Sequence, residues 1–319
     1  MGKSIIQYKK KNKVAWAVKQ GAGIIPLLEQ PTSLADLISH QARFLHAENL
    51  GNDSLEFDQL DILAPVSTPL RVVCQGLNYA SHREESALSK SSKGNVMFAK
   101  DYSSITGAYS PILRPQHCLC LDYEVELGLI IKQDISEPVK VTAGNLPEYI
   151  AGLVLANDMS PRDLQYKEDY SQWFKGKSAR TMLPLGPLLY LMDKEDFKHL
   201  HNLELKLWVN GELRQDANTA QLIFKPAETL SEISEFMNLS TGDLLLTGTP
   251  GGVVVKAPSK FLQGIATWLM TNEQKVASLQ KKHHEYLQDG DTIEASICSP
   301  DGEIDLGKQT NTIIPYGNL

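Results

Sequence analysis

Several things are scarce in this 319-residue sequence, and each absence closes off a class of function. Lys and Arg number 31 against 38 Asp and Glu, a formal net charge of −7. A partner held through its phosphates wants a basic excess, so no nucleic acid is expected. No apolar run approaches the ~20 residues that span a bilayer, so no membrane partner is expected either. The start, Met1-Gly2-Lys3-Ser4-Ile5-Ile6, has no apolar secretory stretch, and Ile6 stands where myristoylation wants Ser or Thr. A cytoplasmic location is the expectation. Cysteine is sparse: Cys74, Cys118, Cys120 and Cys298, with no C-x-x-C spacing. Cys118 and Cys120 point the same way on an expected strand, yet no second pair completes a zinc set. Free thiols in a reducing compartment are expected. There is no internal repeat and no low-complexity segment.

What is present is an ordinary globular composition, 42% hydrophobic and 22% charged, with enough apolar material for a core. The most informative stretch runs from Leu121 to Ile131. With period two, Tyr123, Val125, Leu127, Leu129 and Ile131 fall on one face, and Asp122, Glu124, Glu126 and Gly128 on the other. Glu124 and Glu126 are then about 7 Å apart along the backbone. Two carboxylates that close repel and raise each other's pKa unless a cation lies between them. Such a pair suits a hard cation with oxygen ligands, or it is simply the solvated face of an edge strand.

Residues 1–66 form a small N-terminal α/β unit, with strands over Lys13–Val18 and Gly23–Leu28. A helix capped by Thr32 or Ser33 follows, running from Leu34 into His46. His40 beside Asp36 and His46 beside Glu48 lack a third ligand and are surface histidines. The second unit, 67–319, opens after Ala64-Pro65 and Thr68-Pro69. Ser81 is placed to cap a short helix with Glu84 as its capping-box partner, which sets His82 and Glu85 three apart on one turn. That is a capped turn structurally, and a carboxylate-oriented imidazole chemically. Tyr149 to Ala156 is a buried strand that delivers Asp158 at its polar end. Ser160-Pro161 is expected to open a helix carrying Arg162. Leu183-Pro-Leu-Gly-Pro187 is expected to be a tight turn. Asn210-Gly211 is a type I′ hairpin signal. Thr247-Gly-Thr-Pro-Gly-Gly-Val253 is a glycine-rich loop whose N–H groups, with the Thr247 and Thr249 hydroxyls, can hold a carboxylate. It is no Walker loop, since no Gly-Lys-Ser/Thr follows. A helical insertion is expected over about 258–285, ending in the solvated Lys281-Lys-His-His284, and a last hairpin over Thr292–Ile304 turns at Asp301-Gly302.

Taken in order, these pieces resemble the fumarylacetoacetate hydrolase family over roughly Arg71 to Ile314. The match rests on Gly76-Leu-Asn-Tyr-Ala-Ser-His82, Asp122-Tyr-Glu-Val-Glu-Leu127, Asn157-Asp-Met-Ser-Pro-Arg-Asp-Leu-Gln165, Lys177-Ser178, Val209-Asn-Gly-Glu212 and the Gly242-Asp243 to Val253 run. The resemblance implies an α+β, mainly β fold, a mixed β-sandwich roll with a small N-terminal domain, commonly a homodimer. It implies that Glu124, Glu126 and Asp158 bind Mg²⁺ or Mn²⁺, with Ca²⁺ as a further option. It implies that His82, paired with Glu85, activates water or moves a proton, and that Lys177 neutralises developing negative charge. It places Tyr79, Arg162, Gln165, Thr247, Gly248 and Thr249 around the substrate. Arg180 departs from the pattern, standing where the family often carries Asp, and would make the pocket more basic if it points inward.

The expected substrate is a 2-oxo or dioxo acid. Three carboxylates and a dication leave one negative charge, which Lys177 and Arg162 offset. Water delivered by His82 to a distal carbonyl would give C–C hydrolysis of an acylpyruvate-type 2,4-dioxo acid, the leading expectation. Proton movement alone would give isomerisation of a 2-hydroxyhepta-2,4-diene-1,7-dioate or 5-carboxymethyl-2-hydroxymuconate. Oxaloacetate-type decarboxylation, or a ligand-binding protein without catalysis, are the further alternatives.

Overall fold

The computed structural model describes residues 2–51, 54–85, 94–168, 171–255 and 272–317. The chain opens with a meander of β1 (Lys3–Lys10), β2 (Lys13–Gln20) and β3 (Gly23–Pro26). The single helix expected from Leu34 to His46 breaks at His40 into α1 (Leu34–Ser39) and α2 (Gln41–Leu45). Ser33 is the cap, its hydroxyl accepting from the Asp36 N–H at 3.1 Å. His40 and His46 are exposed, 3.0 and 3.4 Å from Asp36 and Glu48. Then follow β4 (Asp61–Leu63), β5 (Val72–Gly76), α3 (Ala80–Glu85), β6 (Val96–Lys100), β7 (Ile105–Gly107), β8 (Ile112–Arg114), β9 (Leu121–Asp122) and β10 (Val125–Ile131). After them come β11 (Ile150–Asn157), β12 (Ser160–Pro161), α4 (Arg162–Tyr166), α5 (Trp173–Lys177) and β13 (Leu183–Leu191). The last part holds β14 (Glu204–Val209), β15 (Glu212–Asn218), α6 (Pro226–Ser234), β16 (Leu244–Leu246), α7 (Asn272–Gln280), β17 (Thr292–Cys298) and β18 (Asp305–Pro315).

Among the described residues, eleven strands form one mixed sheet in the order β3-β2-β1-β13-β11-β10-β16-β5-β6, with β4 on β1 and β7 on β13. Five more form a second sheet, β15-β14-β17-β18-β8. The fold is α+β and mainly β, as expected. Between the sheets lies a core fed by Leu127 and Leu129 of β10, Leu205 and Leu207 of β14, and Ile293 and Ile297 of β17. On the other face of the large sheet, Leu34, Leu37 and Phe44 of α1 and α2 pack with Trp16, Leu183 and Leu244. Residues 1–66 thus share both a sheet and a core with the rest: β1 pairs with β13 through Ile5↔Leu189.

β10 explains why the sheet is stable and what it presents. The five residues read as its apolar stripe, Tyr123 to Ile131, all enter the core between the sheets. The opposite face is not solvated. β11 and β16 flank β10, so it is no edge strand, and every residue from Val125 to Ile131 is buried. Further corrections are local. Leu183 to Pro187 lies inside β13 and not in a turn before it. Ser160 and Pro161 pair with β9, so α4 starts at Arg162 with no side-chain cap. α3 starts at Ala80, which puts Ser81 in its first turn and not at its cap. The Asn210-Gly211 hairpin forms as read, with φ of 51° and 81°. The expected insertion falls largely outside the described residues; within them lie α7 and the exposed Lys281 to His284. Among the described residues no helix is long and apolar enough to cross a membrane.

Leu127 is fully buried in the core between the sheets. Leu127→Ala should lower unfolding free energy by about 3 kcal/mol through lost transfer energy and a residual cavity. Urea denaturation checks this, and a loss below about 1 kcal/mol would mean that the two sheets close over the gap.

Candidate active site and metal centre

The site arises from strand register. β10 and β11 are antiparallel with Val125 opposite Asn157, and β9 and β12 continue the same register with Asp122 opposite Ser160. The break between them leaves Glu124 facing Asp158, whose N–H donates to the Glu124 carbonyl at 2.8 Å. Residues opposite one another on antiparallel strands share a face. Glu126 lies on that face two residues along. Oxygens of Glu124, Glu126 and Asp158 therefore meet within 4.8 Å of one another, and all three residues are buried.

Carboxylates gathered away from water need cations, and the chain brings three. Lys177, at the end of α5, donates to Glu124 Oε2 at 2.6 Å and Asp158 Oδ2 at 2.7 Å. Arg162, at the start of α4, donates to Glu124 Oε1 at 2.5 Å and to Asp122 Oδ2 at 2.9 Å. Lys100, at the end of β6, donates to Asp158 Oδ1 at 2.5 Å and to the Met182 carbonyl at 2.9 Å. α5 can approach α4 this closely because residue 176 is glycine: a Cβ there would sit 2.5 Å from Gln165 Cβ.

Glu126 is different. Among the described residues its hydrogen-bond partner is the Gly248 N–H, at 2.8 Å on Oε2. Burial, then the charges of Asp158 and Glu124, push its carboxyl well above the ordinary range. Burial pushes Glu124 the same way, but Lys177 and Arg162 outweigh it and hold Glu124 at about 2. Lys177 is likewise raised, the charges of Asp158 and Glu124 overcoming its burial. The centre thus has one carboxyl without a cation. That fits a divalent ion on the three acids, since each carboxylate oxygen keeps a lone pair beyond its present hydrogen bond.

The remaining expected residues sit as follows. His82 is buried, and its Nδ1 has no hydrogen-bond partner among the described residues. Glu85 Oε2 lies 3.9 Å from that nitrogen, beyond a hydrogen bond, and the carboxylate accepts from the Gly252 N–H at 3.0 Å. Tyr79 is buried, its hydroxyl is unpartnered among the described residues, and its pKa is raised by burial and by the charge of Glu126. Gln165 Nε2 is also unpartnered among the described residues.

The 247–253 loop departs from expectation. The Thr247 hydroxyl donates to the Leu127 carbonyl at 3.0 Å, and Thr249 Oγ1 accepts from Gln215 Nε2 at 2.8 Å. Its N–H groups hold the protein's own acceptors: Gly248 holds Glu126, Gly251 holds Ser81 and Gly252 holds Glu85. Arg180 is exposed, with Nη1 3.5 Å from the Tyr316 hydroxyl, and adds no charge to the centre.

Sequence reasoning overlooked Lys100 and Gln215, and gave Asp122 a place on the polar face but no role. A lysine ending the apolar run Val96-Met-Phe-Ala was the available signal for the first. Nothing local marks Gln215, whose amide joins the Val125 N–H to Thr249. The cysteines are free, and those in the 118–120 loop flank Asp163: Cys118 Sγ and the Cys120 N–H donate to it at 3.4 and 2.7 Å.

The profile of the fumarylacetoacetate (FAA) hydrolase C-terminal domain matches residues 71–314. The chain belongs to the fumarylacetoacetate hydrolase family. Among curated members of the family it is similar to oxaloacetate tautomerase Fahd2a, mitochondrial, of Rattus norvegicus, at 39% identity over 206 residues. That match takes in 64% of each protein, so the chain spans less than two thirds of this relative's length. Among solved structures it is similar to a fumarylacetoacetate hydrolase from Exiguobacterium antarcticum, with a TM-score of 0.73, 28% identity, and coverage of 98% of this chain and 100% of that one. A 2-hydroxyhepta-2,4-diene-1,7-dioate isomerase from Mycobacterium marinum has a TM-score of 0.70 at 25% identity, covering 99% of both chains.

A raised carboxyl stabilises the fold while protonated. Glu126 therefore contributes fully below its ordinary value of 4.5, and the contribution is lost as pH rises through its raised value. Glu126→Gln, measured in chelator, should match wild type near about pH 4 and become the more stable protein as pH rises. Urea unfolding across pH checks this. In saturating Mn²⁺ the order should reverse, because the variant loses a ligand.

Proposed function

We propose that this protein is a divalent-metal-dependent enzyme that moves a proton on a short 2-oxo dicarboxylic acid of the oxaloacetate type, interconverting its keto and enol forms. One observation carries this: three buried carboxylates from two strand segments converge within 4.8 Å of one another, with Lys177 bridging two of them. Mg²⁺ or Mn²⁺ at Glu124, Glu126 and Asp158 would act as a Lewis acid toward the substrate's oxygens.

The chain's own groups supply the rest. Lys177 gives two N–H to Glu124 and Asp158, which leaves a third for the 2-oxo oxygen as negative charge grows there. His82 takes the proton that leaves C3 and returns it to oxygen; in support, its Nδ1 is buried and unpartnered among the described residues. Arg162 and Gln165 hold the acid end of the substrate, and Tyr79 lends a hydroxyl that is unpartnered among the described residues. The names of the tautomerase and isomerase relatives support proton transfer.

Hydrolysis of an acylpyruvate is the second possibility on the same site, using His82 to activate water. It is favoured less because Glu85 grips Gly252 and does not hydrogen-bond the imidazole, so the orienting partner that water activation needs is engaged elsewhere. A homodimer is proposed with this function, as the resemblance implies. A cytoplasmic location is proposed as well, and four free thiols suit it.

The test is ultraviolet absorbance of enol oxaloacetate decaying to the keto form, with Mn²⁺ added. Wild type should accelerate the decay, and Glu124→Ala should abolish the metal-dependent rate. Lys177→Met should lower kcat by about 10²-fold or more. Rapid turnover of an acylpyruvate with no effect on oxaloacetate would move the assignment to hydrolysis. No turnover of either, with no thermal stabilisation by Mn²⁺, would remove the enzymatic assignment.

A further inference from the structure

Asp122 is fully buried and is not one of the three converging carboxylates. Its oxygens accept from five donors. Oδ1 takes the Tyr123 and Val254 N–H groups, both at 3.0 Å. Oδ2 takes the Val255 N–H at 3.1 Å and Arg162 Nε and Nη2 at 3.0 and 2.9 Å. A guanidinium has five N–H groups. Arg162 spends Nε–H on Asp122, the two on Nη2 on Asp122 and Glu124, and one on Nη1 on Gln165 Oε1 at 3.1 Å. Among the described residues one Nη1–H remains, on the nitrogen hydrogen-bonded to Gln165 Oε1, and Gln165 Nε2 is unpartnered.

The same corner anchors the backbone on either side of residues 256–271. Val254 and Val255 leave from Asp122. On the return, Gln280 of α7 donates to Asp163 Oδ2 at 3.1 Å, and the Leu287 N–H donates to the Leu121 carbonyl at 3.0 Å. Asp122 and Asp163 are the neighbours of Arg162 in space and in sequence respectively.

We propose that Asp122 is a positioning residue: it holds the Arg162 guanidinium so that one Nη1–H and Gln165 Nε2 stay turned toward an anionic substrate, on a mount shared with the backbone at Val254 and Val255. This rests on the function proposed above for Arg162. Without Asp122, Glu124 is the carboxylate left to the Nε/Nη2 edge among the described residues. The fork can then rotate onto it and carry the remaining N–H away from the substrate.

The experiment uses the full chain as wild type, Asp122→Asn, Arg162→Lys and the double variant. Calorimetry measures Mn²⁺ alone, then oxalate at saturating Mn²⁺. Asp122→Asn should weaken oxalate about tenfold and leave Mn²⁺ affinity within about twofold. In the Arg162→Lys background it should cost nothing further, because the group it positions is gone. Unchanged oxalate affinity, an additive loss in the double variant, or an equal loss of Mn²⁺ affinity would each overturn the proposal. Should Asp122→Asn not fold, Asp122→Glu keeps the charge on a longer arm, and undiminished oxalate binding there would overturn it equally. A wild type that binds neither Mn²⁺ nor oxalate would strike the proposed function instead.

Discussion

Everything in this molecule turns on placing four carboxylates, Asp122, Glu124, Glu126 and Asp158, where water cannot reach them. Isolated charges in such a place are expensive, and their cost is met by geometry or by protonation. Lys100, Lys177 and Arg162 supply three counter-charges. The balance is short by one, and the shortfall falls on Glu126, the member with no cation against it. One proton there neutralises the set. A dication with Glu126 ionised leaves the whole cluster one charge positive, a suitable field for an anionic acid. The electrostatics thus make proton and metal competitors for a single position.

Holding that cluster is the task of the backbone around it. Continuous register across the β9–β10 break puts Asp158 opposite Glu124 without any long connection. The glycine-rich loop from Thr247 to Val255 then runs past the cluster as a row of donors. Gly248 takes Glu126, Gly251 takes Ser81, Gly252 takes Glu85, and Val254 and Val255 take Asp122. The loop therefore joins α3, which carries His82, to the strands that carry the acids. Its amides were expected to hold a substrate carboxylate, and a nest of N–H groups does suit an anion. Here the anions belong to the protein.

What the sequence made legible follows from range. Local periodicity is a property of a few neighbouring residues, so the apolar stripe of β10, the Ser33 cap and the Asn210-Gly211 turn can be read directly. The convergence of Glu124, Glu126 and Asp158 came from motif order, because no local signal sets a register between segments 34 residues apart in number, Glu124 and Asp158. Partners supplied from afar stayed hidden. Lys100 is 58 positions from the Asp158 it neutralises, and Gln215 is 90 from the Val125 it caps. The same limit explains why the donor that Glu85 accepts from was not read from the sequence. Spacing of three on a helix brings it near His82, but the competing Gly252 N–H arrives from 167 residues away.

The polar groups left unpaired carry the last step. Buried donors and acceptors without partners cost about 1–3 kcal/mol each, so a fold tolerates them where something else completes them. Among the described residues seven atoms are of this kind; Gln75 Oε1, Gln309 Oε1 and Asn311 Oδ1 are three, and the other four, Tyr79 Oη, His82 Nδ1, Asn157 Nδ2 and Gln165 Nε2, belong to residues tied to the acid centre or its flanking helices. The fixed cations are nearly spent on the carboxylates, Lys100 wholly on Asp158 and backbone carbonyls. Charge balance and hydrogen-bond supply are therefore divided between different side chains. The saturated set keeps the acids in place, and the unsaturated set lies beside it with hydrogen-bonding capacity to spare. Ion pairing therefore accounts for the first set and not for the second.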